Sequence, residues 1–249
     1  FLEPKIQISS IVSPDRTDKI PNRDSAAFRL DQANLFLNNQ YQGRDNIQNN
    51  YRINAGLTSL IMTENIGDVD FFLGQSQKLG GTEKNITTNN HDRQSHIINS
   101  FDWNPSEAAN FSWFSLYNHH NMKSDLSNFN FNGSTNTWNY SANHSTIDRG
   151  FVSDSKDREE LKLSLSKKIA NWKTTYSTTY SMNEDKQNNI SESLAVEYTG
   201  TGYMFQNCLT MLLQYKSTGG VKDRDILSED SIYLTFNFRN LGEYNWMPN

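Results

Sequence analysis

The chain has 249 residues, a formal net charge of -5 and 35% hydrophobic residues, yet aromatic residues reach 12%. The negative balance argues against a nucleic-acid partner, no apolar run approaches the ~20 residues of a transmembrane helix, and the aromatic content disfavours disorder. A polar average with many aromatic side chains is typical of a β-barrel whose lumen and loops are in contact with water.

Strict alternation of apolar and polar residues recurs along the whole chain, most clearly at 161–166 and 232–238. Period two places one set of side chains on each face of a strand. We therefore predict about twelve strands. In chain order they are 3–12, 50–63, 69–77, 92–103, 110–118, 126–132, 137–147, 158–169, 172–182, 190–198, 203–216 and 231–240.

The predicted connections alternate between short and long over most of the chain. Bacterial outer-membrane barrels have short periplasmic turns and long extracellular loops. The short set is 64–68, 104–109, 133–136, 170–171 and 199–202. The long set is 13–49, which includes weak helical spacing at 26–37, then 78–91, 119–125, 148–157, 183–189 and 217–230. This sorting predicts that the last strand ends on the periplasmic side.

Nothing else in the sequence is apolar enough to cover the apolar face of such a sheet. Lipid is the alternative cover. We therefore predict an all-β, antiparallel transmembrane β-barrel in the outer membrane of a Gram-negative bacterium.

Aromatic residues at strand ends support the membrane interpretation. Trp172 and Tyr180 lie eight residues apart on one face, which spans about 20 Å of membrane normal at the usual strand tilt. Aromatic girdles at the two membrane interfaces would require this spacing, whereas ordinary cross-strand packing in a soluble sheet is the alternative. The candidate girdle residues are Trp103, Phe111, Trp138, Trp172, Tyr180 and Tyr198.

The sequence offers only weak candidates for a metal site or a catalytic centre. His119 and His120 with His91 and His96 could ligate a metal, but adjacent histidines on a strand point to opposite faces. We predict no metal site, no cofactor and no catalytic centre. Cys208, the only cysteine, is either a buried small residue or bonded to another segment.

A series of stretches, in order and spacing, resembles the LptD family of lipopolysaccharide-assembly proteins, in its alphaproteobacterial form. They are Leu2-Glu3-Pro4, Asp31-Gln32-Ala33-Asn34-Leu35-Phe36, Tyr41-Gln42-Gly43-Arg44-Asp45, Arg52-Ile53-Asn54-Ala55-Gly56-Leu57, Phe205-Gln206-Asn207-Cys208-Leu209 with Tyr215, Val221-Lys222-Asp223-Arg224-Asp225-Ile226, and 238–242. The usual Tyr after Gly43 is missing.

The resemblance implies that residues 1–249 are the C-terminal part of a barrel of roughly 26 strands, and that the periplasmic N-terminal domain and the earlier strands are absent. It implies transport of lipopolysaccharide, with the sugar passing through the lumen and lipid A leaving through a lateral opening. The implied partners are the plug lipoprotein LptE and the periplasmic Lpt bridge proteins.

Two sites are carried over by the resemblance. Family members bond a cysteine pair to the N-terminal domain, so Cys208 is expected to form one interdomain disulfide. The last strand is expected to form one side of the lateral gate. Its residues are Ser231, Ile232, Tyr233, Leu234, Thr235, Phe236, Asn237 and Phe238.

Two other functions stay open at the level of sequence. A twelve-stranded porin would require the first and last strands to close on each other. An outer-membrane barrel enzyme would require a Ser/His constellation at the rim, and His144 and Ser145 are expected to face opposite sides of their strand.

Overall fold

The computed structural model describes residues 1–11, 30–38, 50–81, 94–148, 157–182, 188–200, 209–219, 228–238 and 242–246. In these ranges the protein is all-β, and thirteen strands form one sheet in the order of the chain. The predicted antiparallel, all-β architecture is confirmed. None of the described segments is a helix long and apolar enough to cross a membrane.

The strand bounds follow the alternation in the sequence. They are β1 Leu2–Ile11, β2 Asn50–Thr63, β3 Gly67–Gly81, β4 Ile97–Ser106, β5 Ala109–Tyr117, β6 Ser124–Ser134, β7 Trp138–Ile147, β8 Arg158–Ile169, β9 Trp172–Ser181, β10 Asn188–Thr199, β11 Leu209–Thr218, β12 Glu229–Phe238 and β13 Gly242–Trp246. Between β8 and β9 only two residues remain, and Ala170 takes a φ of 49° there, as tight hairpins require.

Several sequence-based boundaries were wrong, among them the end of the third strand, which lies at Gly81 rather than at residue 77. The sheet does not end at residues 231–240, because β13 pairs with the last half of β12, from Leu234 to Phe238. The fourth strand begins at Ile97 rather than at residue 92, and it runs through Pro105 to Ser106. A five-residue strand is too short for its alternation to stand out in the sequence, and a proline is tolerated near a strand end.

The described chain divides into two compact units. The first comprises Phe1–Ser106, Phe111–Phe129 and Thr146–Lys156, and the second Glu107–Asn110, Asn130–Ser145 and Asp157–Asn249. Register in the first unit is set by cross-strand pairs such as Ile8 with Ile53 and Leu57 with Leu73. Directly paired residues share one face, so the apolar side chains of neighbouring strands gather on the same side.

In the first unit, the apolar face of the sheet is exposed and the polar face contains buried polar side chains, which is the reverse of a protein folded in water. Ile6 and Ile8 are 75% and 77% exposed on the apolar face, whereas Asn54 on the other face is completely buried. The Asn54 amide donates a 2.8 Å hydrogen bond to Gln7 Oε1 and accepts a 2.7 Å hydrogen bond from the Ser76 hydroxyl. A protein folded in water normally buries its aliphatic side chains and exposes its amides.

The second unit repeats this arrangement. Cross-strand pairs such as Leu165 with Tyr176 and Tyr176 with Leu194 continue the apolar face from β8 to β10. On the opposite face, hydroxyl groups bond across the strands, with 2.9 Å between Ser166 and Thr175. The sheet of this unit therefore also has one apolar and one hydroxyl-rich face.

The first residue of β3 generates a prediction on stability. Gly67 has a φ of +75°, and a Cβ there would lie 1.9 Å from the Asn104 carbonyl oxygen. We expect Gly67→Ala to lower the free energy of unfolding by about 1–3 kcal/mol, measured by urea titration in detergent micelles with tryptophan fluorescence. Gly80→Ala is the control, because its Cβ would lie 3.6 Å from the Tyr51 ring, an ordinary contact. Equal effects of the two substitutions would refute this account of the turn.

Candidate functional site

The exposed apolar face is the most extensive feature that could serve a function. In the second unit it runs across β8 to β12 without interruption by a covering layer among the described residues. Its half-exposed large side chains are Leu163, Leu165, Ile169, Trp172, Tyr176, Leu194, Leu213, Tyr215 and Ile232. Contiguous apolar surface of this kind marks contact with another protein or with lipid.

The predicted girdle residues lie near strand ends, Trp103 and Phe111 in the first unit and the other four in the second. Trp103 stacks on Phe111 with ring centroids 5.2 Å apart, and the Trp172 and Tyr198 rings are 4.7 Å apart. Trp138 is the first residue of β7. Trp103, Phe111, Trp138 and Trp172 lie close to short connections. Tyr198 instead lies one residue before the end of β10, which nine residues separate from β11, and Tyr180 lies at the opposite end of β9 from Trp172. Their role as membrane girdles stays a prediction.

A second feature is a segment that packs on the polar face of the first unit. Residues 30–38 form a single helical turn, with a 3.0 Å hydrogen bond from the Leu35 amide to the Asp31 carbonyl. Asp31 and Asn34 close the turn, since each side chain accepts a hydrogen bond from the other's backbone amide. The weak helical spacing predicted at 26–37 is therefore realised as one turn in the described part of that range.

The turn carries its apolar side chains into the sheet. Leu30 and Leu35 are buried and form a cluster with apolar residues that interrupt the polar face. The sheet's members of this cluster are Phe72, Ile98, Leu116 and Leu126. The largest apolar core of the first unit is thus made between sheet and segment, on the face that is otherwise polar.

Arg52 binds the C-terminal end of residues 30–38 through hydrogen bonds. Its side chain is 2% exposed, and its guanidinium donates to the backbone carbonyls of Leu37 and Asn38, the latter at 2.7 Å. Gln7 adds a 3.0 Å bond from its amide to the Phe36 carbonyl. These donors form hydrogen bonds with the backbone carbonyl groups that have no partner within the helical turn at its end.

Two glycines provide the space for the segment. A Cβ at Gly74 would lie 2.6 Å from the Leu35 side chain, and a Cβ at Gly56 would lie 2.9 Å from the Phe36 ring. Sequence reasoning missed this docking site. Its signals were an arginine and two glycines at polar-face positions of β2 and β3, opposite the long segment that contains Asn34-Leu35-Phe36.

The histidines are not arranged as the sequence predicted. His119 and His120 lie in the turn between β5 and β6, not on a strand, and their rings are in contact, with centroids 3.8 Å apart and planes tilted by 42°. The prediction that their side chains point to opposite faces of a strand was therefore wrong. His96 instead pairs with Asp125 at 2.6 Å. The described residues contain no group of three or more histidine, cysteine or acidic side chains that could hold a metal, and His91 lies outside them.

The predicted gate strand is β12, and its two edges differ. Ten residue pairs join it to β11, whereas only five join it to β13 among the described residues. The pairs with β13 start at Leu234, so the first half of β12 has a described partner on one side only. β13 rather than β12 is the last strand of the described sheet.

Cys208 lies outside the described residues, as do the charged loop residues 220–227. Nε2 of His144 lies at hydrogen-bond distance, 2.9 Å, from Oε1 of Glu159. Each unit therefore has one apolar and one polar face, and in the second unit five residue pairs join β12 to the described residues of β13.

Comparison with protein families gives one match. The family LptD, described as LPS transport system D, matches residues 1–177. A search of curated proteins found no match.

The docking of residues 30–38 generates a prediction. We expect Arg52→Met to speed hydrogen exchange at the Leu35 and Leu37 amides at least about tenfold, since hydrogen bonds to a charged group contribute about 1.5–3 kcal/mol. Exchange is followed by mass spectrometry on the protein in micelles. Arg158→Met, which removes the same charge from the other unit, is the control. Unchanged exchange in residues 30–38 would show that Arg52 does not hold the segment.

Proposed function

Because this chain belongs to the LptD family, we propose that it transports lipopolysaccharide and assembles it into the outer leaflet of a Gram-negative outer membrane. The observation that carries the proposal is the inverted polarity of the sheet. Aliphatic side chains such as Ile8 are exposed while amides such as Asn54 are buried. Hydrocarbon outside and a hydrophilic interior satisfy both faces at once. The family is one of transport and assembly, not of enzymes.

We further propose that the thirteen strands are the C-terminal part of a larger transmembrane barrel. In hydrocarbon every backbone N–H and C=O must be paired, so an open sheet edge is not tolerated. The described sheet ends at β1 and at β13. Closure within the membrane then requires hydrogen bonding to both of these edges. The assignment to the alphaproteobacterial type rests on the resemblance alone.

The polar face offers a route for the sugar part of lipopolysaccharide. Hydroxyl and amide groups line it, as in the hydrogen bond between the hydroxyls of Ser177 and Ser193 and the one that the Ser76 hydroxyl donates to Asn54. A glycan exchanges its hydrogen bonds with water for bonds to such groups at small cost. Residues 30–38 lie on the same face, and we propose that they narrow this route.

Lipid A requires a lateral exit because its acyl chains do not enter a wet lumen. We propose that the exit lies next to β12, where the described residues of β13 pair with residues 234–238. A seam with five residue pairs breaks fewer hydrogen bonds on opening than one with ten. Among the described residues, β13 pairs with none of Ser231 to Tyr233.

The proposed partners complete the path. LptE would occupy the lumen as a plug, and the periplasmic Lpt bridge proteins would deliver lipopolysaccharide through an N-terminal domain. Both proposals rest on the family resemblance.

Depletion of the full-length protein in its host tests the function. We expect newly synthesised, pulse-labelled lipopolysaccharide to stop reaching the cell surface and to accumulate in the inner membrane. Uptake of small hydrophilic solutes is measured in the same cells, with depletion of an unrelated porin as the control. Normal lipopolysaccharide export together with reduced solute uptake would contradict the proposal and support the porin alternative.

Cys208 generates a separate prediction. If it forms one disulfide with the N-terminal domain, the full-length protein will migrate differently on non-reducing and reducing gels, because the covalent loop keeps the denatured chain compact. We expect Cys208→Ser to abolish this difference. Cys208→Ala is the matched second variant, and it must behave like Cys208→Ser. An unchanged gel pattern in both variants would end the disulfide proposal.

A further inference from the structure

A groove on the apolar face of the second unit has a single charge beside it. The groove encloses about 320 Å³ between β7, β8 and β9, next to the two-residue connection Ala170–Asn171. The groove is lined by Trp138, Leu165, Lys167, Ile169, Trp172, Thr174 and Tyr176. Specific small-molecule sites start at about 300 Å³, so the groove can hold part of one lipid.

Lys167 interrupts the run of apolar side chains on the apolar face of β8. The apolar face of β8 reads Leu161, Leu163, Leu165, Lys167 and Ile169, and the register pairs Lys167 with Thr174 and Ile169 with Trp172. An ammonium group among these side chains must reach a polar partner, because an unpaired charge in hydrocarbon is costly. Within the described residues it forms no ion pair. Its Nζ instead lies 4.7 Å from the centre of the Trp138 ring.

The position of Lys167 along β8 indicates which chemical group its ammonium contacts. Lys167 lies three residues before Ala170, which is about 7 Å along the membrane normal for a strand tilted by ~40°. Short connections of outer-membrane barrels are periplasmic, and tryptophan side chains favour the depth of the lipid headgroups. Lys167 therefore lies at headgroup depth, where a long cationic side chain can extend towards phosphate oxygens.

We propose that this groove binds one anionic phospholipid of the periplasmic leaflet. The phosphodiester accepts hydrogen bonds from the Lys167 ammonium, and an acyl chain lies along Leu165 and Tyr176. Trp138 holds the ammonium in place through its ring face. The proposal rests on the proposed function, because it requires lipid outside the sheet.

Lys168 provides a matched control. It is the next residue, carries the same charge and pairs with Lys173 on the opposite, polar face. A general attraction between the protein's positive charge and anionic lipid would respond equally to Lys167→Gln and Lys168→Gln. A site made by the groove responds only to Lys167→Gln.

The test uses the full-length protein reconstituted into vesicles of phosphatidylcholine. Brominated phosphatidylglycerol or brominated phosphatidylcholine is titrated in, and quenching of tryptophan fluorescence gives the relative affinity. Subtracting the signal of the Trp138→Phe/Trp172→Phe protein isolates quenching at the groove.

We expect the parent protein to prefer phosphatidylglycerol about fivefold, as one lysine near the surface should give. Lys167→Gln should reduce this preference to near unity, and Lys168→Gln should retain it. Two results would contradict the proposed phospholipid site and leave the proposed function standing. One is quenching by both lipids with no preference in the parent protein, and the other is an equal loss of the preference for phosphatidylglycerol in the two variants. No quenching at the groove by either lipid would overturn the proposed membrane function as well.

Discussion

The structure depends on what lies outside the apolar face. In both units many aliphatic and aromatic side chains are exposed on one face, and hydroxyl or amide groups on the other face are hydrogen bonded to each other. In water, exposure of so much aliphatic and aromatic surface would cost about 25 cal/mol for each Å² left uncovered. Hydrocarbon removes that cost, and it also requires every strand to be hydrogen bonded on both sides. Register matters for the same reason, because a slip of one residue would turn Leu165 inward and Ser166 outward.

On the polar face, residues 30–38 bind to the sheet through both apolar packing and hydrogen bonds. Here Leu35 finds an apolar patch around Phe72, while Arg52 and Gln7 bond the carbonyl groups at the end of the turn. Burial of a leucine contributes about 1.5–3 kcal/mol, and the charged hydrogen bonds prevent the turn's carbonyls from being left unpaired. A segment held in this way lies on the path proposed for the sugar. We propose that its attachment and the pairing of β12 with β13, which comprises five residue pairs among the described residues, respond to a passing substrate.

Most of the sheet could be predicted from the sequence because period two is a local signal. Runs such as Leu161 to Ser166 define both the strand and the face of each side chain, and the two-residue connection at Ala170 defines the hairpin. The docking of residues 30–38 could not be predicted in this way. It depends on Gly74 and Arg52, which are far away in the chain and come close only through the register of β2 and β3. β13 was missed because five residues give too little alternation. The contact between the rings of His119 and His120 was missed because these residues lie in a turn and not on a strand.

Accessibility along β8 tests the central claim most directly. Single cysteines at positions 161 to 166, in a protein with Cys208→Ser, are spin-labelled and the protein is reconstituted into phospholipid vesicles. Collision rates with oxygen, which concentrates in hydrocarbon, and with a water-soluble nickel complex are then measured by electron paramagnetic resonance. The account predicts high oxygen accessibility at 161, 163 and 165 and high nickel accessibility at 162, 164 and 166. Equal nickel accessibility at all six positions would contradict it, because the apolar face would then be in contact with water.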